Sequence, residues 1–218
     1  MAVTLRSERA LLRDIAPGGL LAALDEVGRG ALAGPVAVGV VVIDARTPTA
    51  PAGVRDSKEC DPLARERLAP LIRRWALRSA VGMSSSQEID QVGIIGALAL
   101  AAARGLNATG VAPDVVLLDG KHDWMSRIAP ASCVRTQVKA DTSCAAVAAA
   151  SIIAKVTRDA HMVALARDWP HYAWHANKGY AAPDHIAALG RLGPSPWHRI
   201  SWRLPGSSTG DGDPAFPQ

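Results

Sequence analysis

Leu20-Leu21-Ala22-Ala23-Leu24-Asp25-Glu26-Val27-Gly28-Arg29-Gly30, followed after Gly34-Pro35 by Val36-Ala37-Val38-Gly39-Val40-Val41-Val42-Ile43, is the stretch on which the fold turns. Leu20 to Leu24 is a short apolar run that stops at two acids, and Val36 to Ile43 is a longer run rich in β-branched residues. Runs of this length and composition predict two strands joined as a hairpin, with Val27-Gly28-Arg29-Gly30 beginning the turn. Successive strand residues face opposite sides, so Asp25 and Glu26 share one site only if the strand breaks between them, and Gly28 and Gly30 make a break there available.

Downstream the same reading gives alternating elements. Arg55 to Leu63 is polar and loop-like, Ala64 to Trp75 is helical, Ala76 to Met83 extended, and Ser84-Ser85-Ser86-Gln87-Glu88 opens a helix that continues from Ile89 to Leu106. Val115 to Leu118 is a buried-strand pattern ending at Asp119-Gly120, and Cys133 to Val138 is a further strand leading through Lys139-Ala140-Asp141 into an alanine-rich helix over Ser143 to Ala166. A short helix is predicted from Pro183 to Leu189. Such alternation predicts an α/β domain with a sheet flanked by helices. The expected organisation is an N-terminal extension over 1–19, a core over 20–168, a helical C-terminal wall over 169–205 and a disordered tail over 206–218.

Three of these segments deliver acids at their ends: Asp25 with Glu26, Asp119, and Asp141. Sites in open α/β sheets form where strand ends gather. Four converging carboxylates repel one another unless some are protonated or divalent cations bind, and oxygen-only ligands favour Mg²⁺ or Mn²⁺. Two such ions are a known device for in-line attack on a phosphodiester. Taken singly, Asp141 reads equally well as a helix N-cap, and Asp119-Gly120 is an ordinary turn signal, more often structural than catalytic. Asp25-Glu26 is harder to explain structurally, because burying adjacent acids is costly.

Composition narrows the alternatives. The 218 residues are 49% hydrophobic and 20% charged, enough for one globular unit with a substantial core. A formal charge of +4 suits a polyanionic partner but not a packaging protein. Cys60, Cys133 and Cys144 form neither a C-x-x-C pair nor an even set, so neither a disulfide framework nor a zinc site is indicated. No uninterrupted apolar stretch reaches membrane-spanning length, and a soluble, cytoplasmic protein without membrane association is expected.

The ordered motifs resemble those of bacterial ribonuclease HII, a type 2 ribonuclease H. They are Asp25-Glu26-Val27-Gly28-Arg29-Gly30 with Leu32-Ala33-Gly34-Pro35-Val36, Asp56-Ser57-Lys58, Glu88-Ile89-Asp90, Leu118-Asp119-Gly120, and Lys139-Ala140-Asp141. Ala148 to Asp159, Lys178-Gly179-Tyr180 and Gly193 to Arg199 complete the series. The resemblance runs from about Leu20 to Trp202. It implies a ribonuclease H-like mixed sheet flanked by helices, with a small C-terminal helical extension forming one wall of a substrate groove. It also implies a site of two Mn²⁺ or Mg²⁺ ions held by Asp25, Glu26, Asp119 and Asp141, with Asp25 bridging both. Gly28, Arg29 and Gly30 would read the 2′-hydroxyl at an RNA-DNA junction, the group that separates RNA from DNA. Tyr180 would pack on the deoxyribose beyond the junction, and Ser57, Lys58 and Lys178 would contact the substrate. The implied enzyme is a monomer that acts on RNA-DNA hybrids and on DNA duplexes containing ribonucleotides. It would cut 5′ of a ribonucleotide to leave 3′-hydroxyl and 5′-phosphate ends, in ribonucleotide excision repair. Glu59 stands where relatives often carry lysine, removing one expected phosphate contact. Two rival readings are a ribonuclease HIII-like activity needing longer RNA tracts and a silent hybrid-binding protein; all four acids being present argues against the second. Ser151, Lys155 and Asp159 share one helix face, where Lys155 can pair with Asp159. Trp169, Trp174, Trp197 and Trp202 are expected mostly to pack.

Overall fold

A computed structural model describes residues 3–126 and 133–206. The elements in chain order are α1 (Arg6–Arg13), β1 (Leu21–Val27), β2 (Val36–Ile43), a 3-10 turn (Ser57–Glu59), α2 (Pro62–Trp75), β3 (Arg78–Ser84), α3 (Ser86–Thr109), β4 (Val115–Asp119) and β5 (Cys133–Gln137). The single-turn α4 (Ala140–Ser143), the long α5 (Ala145–Asp168), a 3-10 turn (Pro170–Tyr172), α6 (Trp174–Asn177) and α7 (Pro183–Leu192) complete the chain. One five-stranded sheet has the order β3-β2-β1-β4-β5. β1 pairs antiparallel with β2 and parallel with β4, so the sheet is mixed as expected.

The strands separate two cores. Leu21, Ala23, Val41, Ile43 and Leu117 face α1, α2 and the first half of α5. Ala22, Leu24, Val38, Val40, Val42 and Leu118 face α3. Every residue of β2 is buried, which is why its sequence is a continuous apolar run rather than an alternating one. Trimming a fully buried leucine such as Leu21 or Leu24 to alanine would cost roughly 2–5 kcal/mol.

The alanine run of α5 has a geometric cause. A Cβ on Gly39 of β2 would lie 2.1 Å from the Ala150 carbonyl oxygen, so helix and sheet meet backbone to backbone. Only small residues from Ala145 to Ala150 allow that approach, and it carries Ser151 to the sheet end. The second half of α5 leaves the sheet and builds a third core, where Met162 and Ala166 pack with Leu32, Ala33, Tyr172, Trp174 and Leu189. One helix therefore belongs to both the sheet domain and the C-terminal wall.

Several elements depart from the sequence expectations. The N-terminal 1–19 contains α1, whose Leu5 flank and Leu12 enter the first core. The loop expected over Arg55 to Leu63 contains a 3-10 turn and the first turn of α2, capped by Asp61. α3 starts with the anticipated capping box, Ser85 with Glu88, but bends at Gly93 where φ is +71°. Among the described residues α3 alone is long and apolar enough by length and mean hydropathy to span a membrane, although Glu88, Asp90 and Arg104 interrupt its apolar run. Its bend, and the burial of Ala97, Leu98, Ala101 and Ala102 against the sheet, place those apolar residues in a core. The expected tail, beyond Gly206, lies outside the described residues.

Candidate active site

The site is made by one strand outrunning another. β1 pairs with β4 only as far as Leu24 opposite Leu118, whereas its pairing with β2 continues through Asp25, Glu26 and Val27. Beyond Leu24 one edge of β1 is therefore open. The expected break between Asp25 and Glu26 is absent; the strand stays regular through Val27. Asp25 lies toward α5 and Glu26 toward the opposite face, and both feel the charge of Asp119 at the tip of β4. The notch at the strand edge does what a broken strand was expected to do.

Each acid is held differently. Asp25 is 6% exposed, and its Oδ1 accepts the Glu26 backbone N–H at 2.9 Å. Burial, then the charge of Glu26, pushes its pKa well above the carboxylate range, with Asp119 and Asp141 adding to the rise; the Ser151 hydroxyl partly offsets it. Behind Asp25, Ser151 and Ser57 bring their Oγ atoms to 2.7 Å. Glu26 is raised by burial, eased by the Arg29 guanidinium 3.6 Å away. Asp119 Oδ1 accepts the Ala140 N–H at 2.7 Å, joining the end of β4 to the start of α4. Asp141 is 5% exposed and does not act as the N-cap of α4, a position occupied by Lys139 in the left-handed region at φ +57°. Its pKa is raised by burial and by Asp119, and Lys58 Nζ stands 3.6 Å from its Oδ2. Burial opposes protonation of Lys58, but Asp56, Asp141 and Asp25 together raise its pKa.

Among the described residues no three acids, imidazoles or thiols are drawn together at the spacing of a single ion's ligands. The four carboxylates nevertheless share one electrostatic field, with Lys58 beside Asp141 and Arg29 beside Glu26. An all-oxygen donor set of this kind fits hard divalent cations.

The Gly-Arg-Gly loop is built on two buried arginines that the sequence reading did not single out. Arg158 of α5 and Arg199 are both fully buried. Neither forms an ion pair among the described residues. Arg158 donates from Nε to the Pro35 carbonyl at 2.8 Å, from Nη1 to Lys178 at 3.0 Å and from Nη2 to Ala33 at 3.2 Å. Arg199 donates to the carbonyls of Gly28 at 2.6 Å, Arg29 at 2.8 Å and Gly34 at 3.2 Å. The signal available in the sequence was a lone Arg158 on the inner face of an otherwise apolar helix; an arginine fork satisfies several carbonyls at once.

These bonds join the loop to the Lys178-Gly179-Tyr180 turn, whose Gly179 carbonyl also accepts from Leu32 and Ala33. Tyr180 is half-buried, with the Arg158 guanidinium 5.3 Å from its ring centre. A groove of about 720 Å³ passes it, lined by Arg65, Lys155, Arg167 and Lys178. Not every predicted contact reaches open space. Ser57 is buried beneath Asp25, and Lys178 Nζ is turned onto the carbonyls of His175 and Ala176. Lys155 pairs with Asp159 at 2.9 Å, as its spacing predicted.

Behind Tyr180 lies a buried relay. Trp174 Nε1 donates to His185 Nε2 at 3.2 Å, and His185 Nε2 lies 2.9 Å from His198 Nε2. His198 Nδ1 accepts the Ser195 N–H at 2.8 Å, and His185 Nδ1 faces the Tyr180 carbonyl at 2.8 Å. Only one neutral assignment satisfies every contact: His198 donates from Nε2 and His185 donates from Nδ1 to Tyr180. Trp174 is fully buried and stacked on Tyr172 at 5.2 Å, so it packs rather than meeting bases.

The family model for ribonuclease HII matches residues 22–204, which contain all four acids, the loop and the relay. The chain belongs to the ribonuclease HII family. It is 47% identical over 191 residues to a ribonuclease HII of Streptomyces avermitilis, covering 88% of this chain and 80% of the relative. Among solved structures it is similar to ribonuclease H2 from Pyrococcus horikoshii, at a TM-score of 0.70 and 28% identity over 85% of this chain and 94% of that one. It is likewise similar to the ribonuclease HII in a PCNA complex from Archaeoglobus fulgidus, at a TM-score of 0.71 and 26% identity over 87% of this chain and 98% of that one. With this family membership the chain is a ribonuclease H enzyme.

Proposed function

We propose that this ribonuclease H hydrolyses the RNA strand of RNA-DNA hybrids and incises duplex DNA on the 5′ side of single embedded ribonucleotides, leaving 3′-hydroxyl and 5′-phosphate ends. The observation that carries the reading is the gathering of Asp25, Glu26, Asp119 and Asp141 at the open edge of β1, immediately before the loop at Gly28 to Gly30. Those four acids would hold two Mn²⁺ or Mg²⁺ ions, which when bound supply Lewis acidity at the scissile phosphate. The chain's own residues do the rest of the selection. A Cβ on Gly30 would meet nothing within 4 Å, so this glycine leaves space for a sugar edge to approach the backbone. Arg29, with a half-exposed side chain beside Glu26, is placed to meet the junction phosphate or 2′-hydroxyl. Tyr180, fixed through its carbonyl by His185, would lie against the next deoxyribose. We assign the protein a role in ribonucleotide excision repair, as a cytoplasmic monomer.

The test is incision of a duplex carrying one ribonucleotide, with Mg²⁺ or Mn²⁺, by the wild type and by Asp25→Asn. Cutting by the wild type that falls by orders of magnitude in the variant supports the reading. No cutting by the wild type removes the proposed activity; undiminished cutting by the variant removes the site assignment. For the loop, Arg29→Ala should lose more activity on the single-ribonucleotide duplex than on a long hybrid, and equal losses would end the case for junction reading.

A further inference from the structure

The family match begins at residue 22, yet the segment ahead of it is bonded to the turn that carries Asp141. Thr4 forms a parallel β-bridge with Cys144: its N–H donates to the Ser143 carbonyl at 3.2 Å, and its carbonyl accepts the Ala145 N–H at 3.1 Å. One helical turn later, Glu8 Oε1 accepts the Ala146 N–H at 2.8 Å. Three backbone groups between Ser143 and Ala146, where α4 ends and α5 begins, are thus satisfied by the N-terminal segment.

α5 has no cap of its own, because the Cys144 side chain at its N-cap accepts no N–H of the helix. Glu8 supplies across the fold what a local Asp or Ser would supply, an oxygen for an orphan N–H at the positive end of a helix. It does so at a cost. The Glu8 side chain is fully buried, Oε2 has no hydrogen-bond partner among the described residues, and burial pushes its pKa up to about 6. A buried, half-satisfied acid is expensive for a helix that other caps would serve.

α4 is where that expense has a use. It is a single turn of four residues and cannot hold its shape alone, since one turn fixes more dihedrals than its hydrogen bonds repay. Its start is held by Asp119 through Ala140, and its end by Thr4 through Ser143. We propose that Thr4 and Glu8 form a clamp that positions Asp141 for divalent-cation binding, by fixing the bend between α4 and α5. Glu8 is a positioning residue and touches no substrate. The inference rests on the reading of Asp141 as a metal ligand.

The test is calorimetric titration of the full chain with Mn²⁺ alone, without substrate, alongside thermal melting. Glu8→Leu, which removes the acceptor, should weaken Mn²⁺ binding on the order of tenfold, as loss of a ligand's supporting contacts does. Glu8→Gln keeps an acceptor oxygen and should bind Mn²⁺ as the wild type does. A folded Glu8→Leu protein with wild-type Mn²⁺ affinity overturns the clamp, even if its melting temperature falls. Should Glu8→Leu not fold, Thr4→Pro removes the bond to Ser143, Thr4→Val serves as control for the lost hydroxyl that accepts the Arg6 N–H at 3.4 Å, and the proline variant carries the same expected weakening and the same overturning result. Asp141→Asn separates the two readings. If it binds Mn²⁺ like the wild type, or if the wild type binds none, the metal-site reading fails and the clamp with it. If it binds weakly while Glu8→Leu does not, only the clamp fails.

Discussion

A Cβ atom on Gly28 would lie 2.1 Å from Nε of Arg158. Arg158 cannot yield, because three carbonyls hold its guanidinium and no part of it reaches solvent. Gly28 also has φ +87°, where a side chain is strained. The two glycines of one loop therefore have separate causes: Gly28 makes room for an arginine behind the loop, and Gly30 faces open space. Gly28→Ala should lower stability by about 2–4 kcal/mol, combining strain and displacement of buried hydrogen bonds. Gly30→Ala should leave unfolding unchanged and raise KM on a single-ribonucleotide duplex. Urea denaturation paired with incision kinetics checks both, and equal stability losses at the two positions would refute the distinction.

Arg158→Lys keeps the charge but not the fork. One ammonium cannot reach the carbonyls of Ala33, Pro35 and Lys178 together, so at least one is left buried and unpaired, at about 2–4 kcal/mol in total. Because these bonds couple the loop to the Tyr180 turn, incision of a single-ribonucleotide duplex should fall more than cutting of a long hybrid. Retained stability in chemical denaturation would show that the fork is dispensable.

Ser151→Ala removes the hydroxyl that eases the charge on Asp25 and meets Ser57. A stability loss of only about 1 kcal/mol is expected, with incision falling about tenfold as Asp25 loses its support. An unchanged rate under saturating metal would remove Ser151 from the site.

The histidine relay makes stability depend on pH. Burial, with His185 alongside, holds the His198 pKa down to about 4, below its ordinary 6.5. Below pH 6.5 the unfolded chain takes up a proton that the folded chain refuses, so stability falls with falling pH. The loss is complete near pH 4, where folded His198 also protonates, and amounts to about 3 kcal/mol at roughly 1.4 kcal/mol per unit. His198→Gln should lose less stability than the wild type between pH 7 and pH 5, measured by denaturant unfolding. Glu8 acts with the opposite sign between its ordinary 4.5 and about 6, and is common to both proteins. Parallel pH profiles would contradict the neutral relay.

The acids at strand ends, the glycine loop and the succession of strands along the chain were legible because strand ends, glycines and charges leave local marks, whereas the sheet order β3-β2-β1-β4-β5 was not. Val36 to Ile43 reads as a buried strand from composition alone, and it is one. Asp141 did not declare its role locally: an acid before a helix reads as a cap, and only the placement of Lys139, Asp119 and Lys58 removes that reading. Arg158, Arg199 and His185 were not separable from surface residues, because their partners are carbonyls far away in the chain, and carbonyls have no sequence signature. The regular course of β1 through both acids was also hidden, since it depends on where β4 stops.

α5 is shared between the sheet and the C-terminal wall, and that sharing sets what kinds of change the gene can accept. Substitution among small residues alters its packing by degrees. Insertion of one residue between Ser151 and Arg158 would turn everything beyond it by about 100° and advance it by about 1.5 Å. Ser151 would stay at Asp25, while Arg158 and Met162 would face away from the loop and the wall. The interval between those two residues is a fixed length, measured by the fold itself, and divergence along this helix can proceed by replacement but not by change in length.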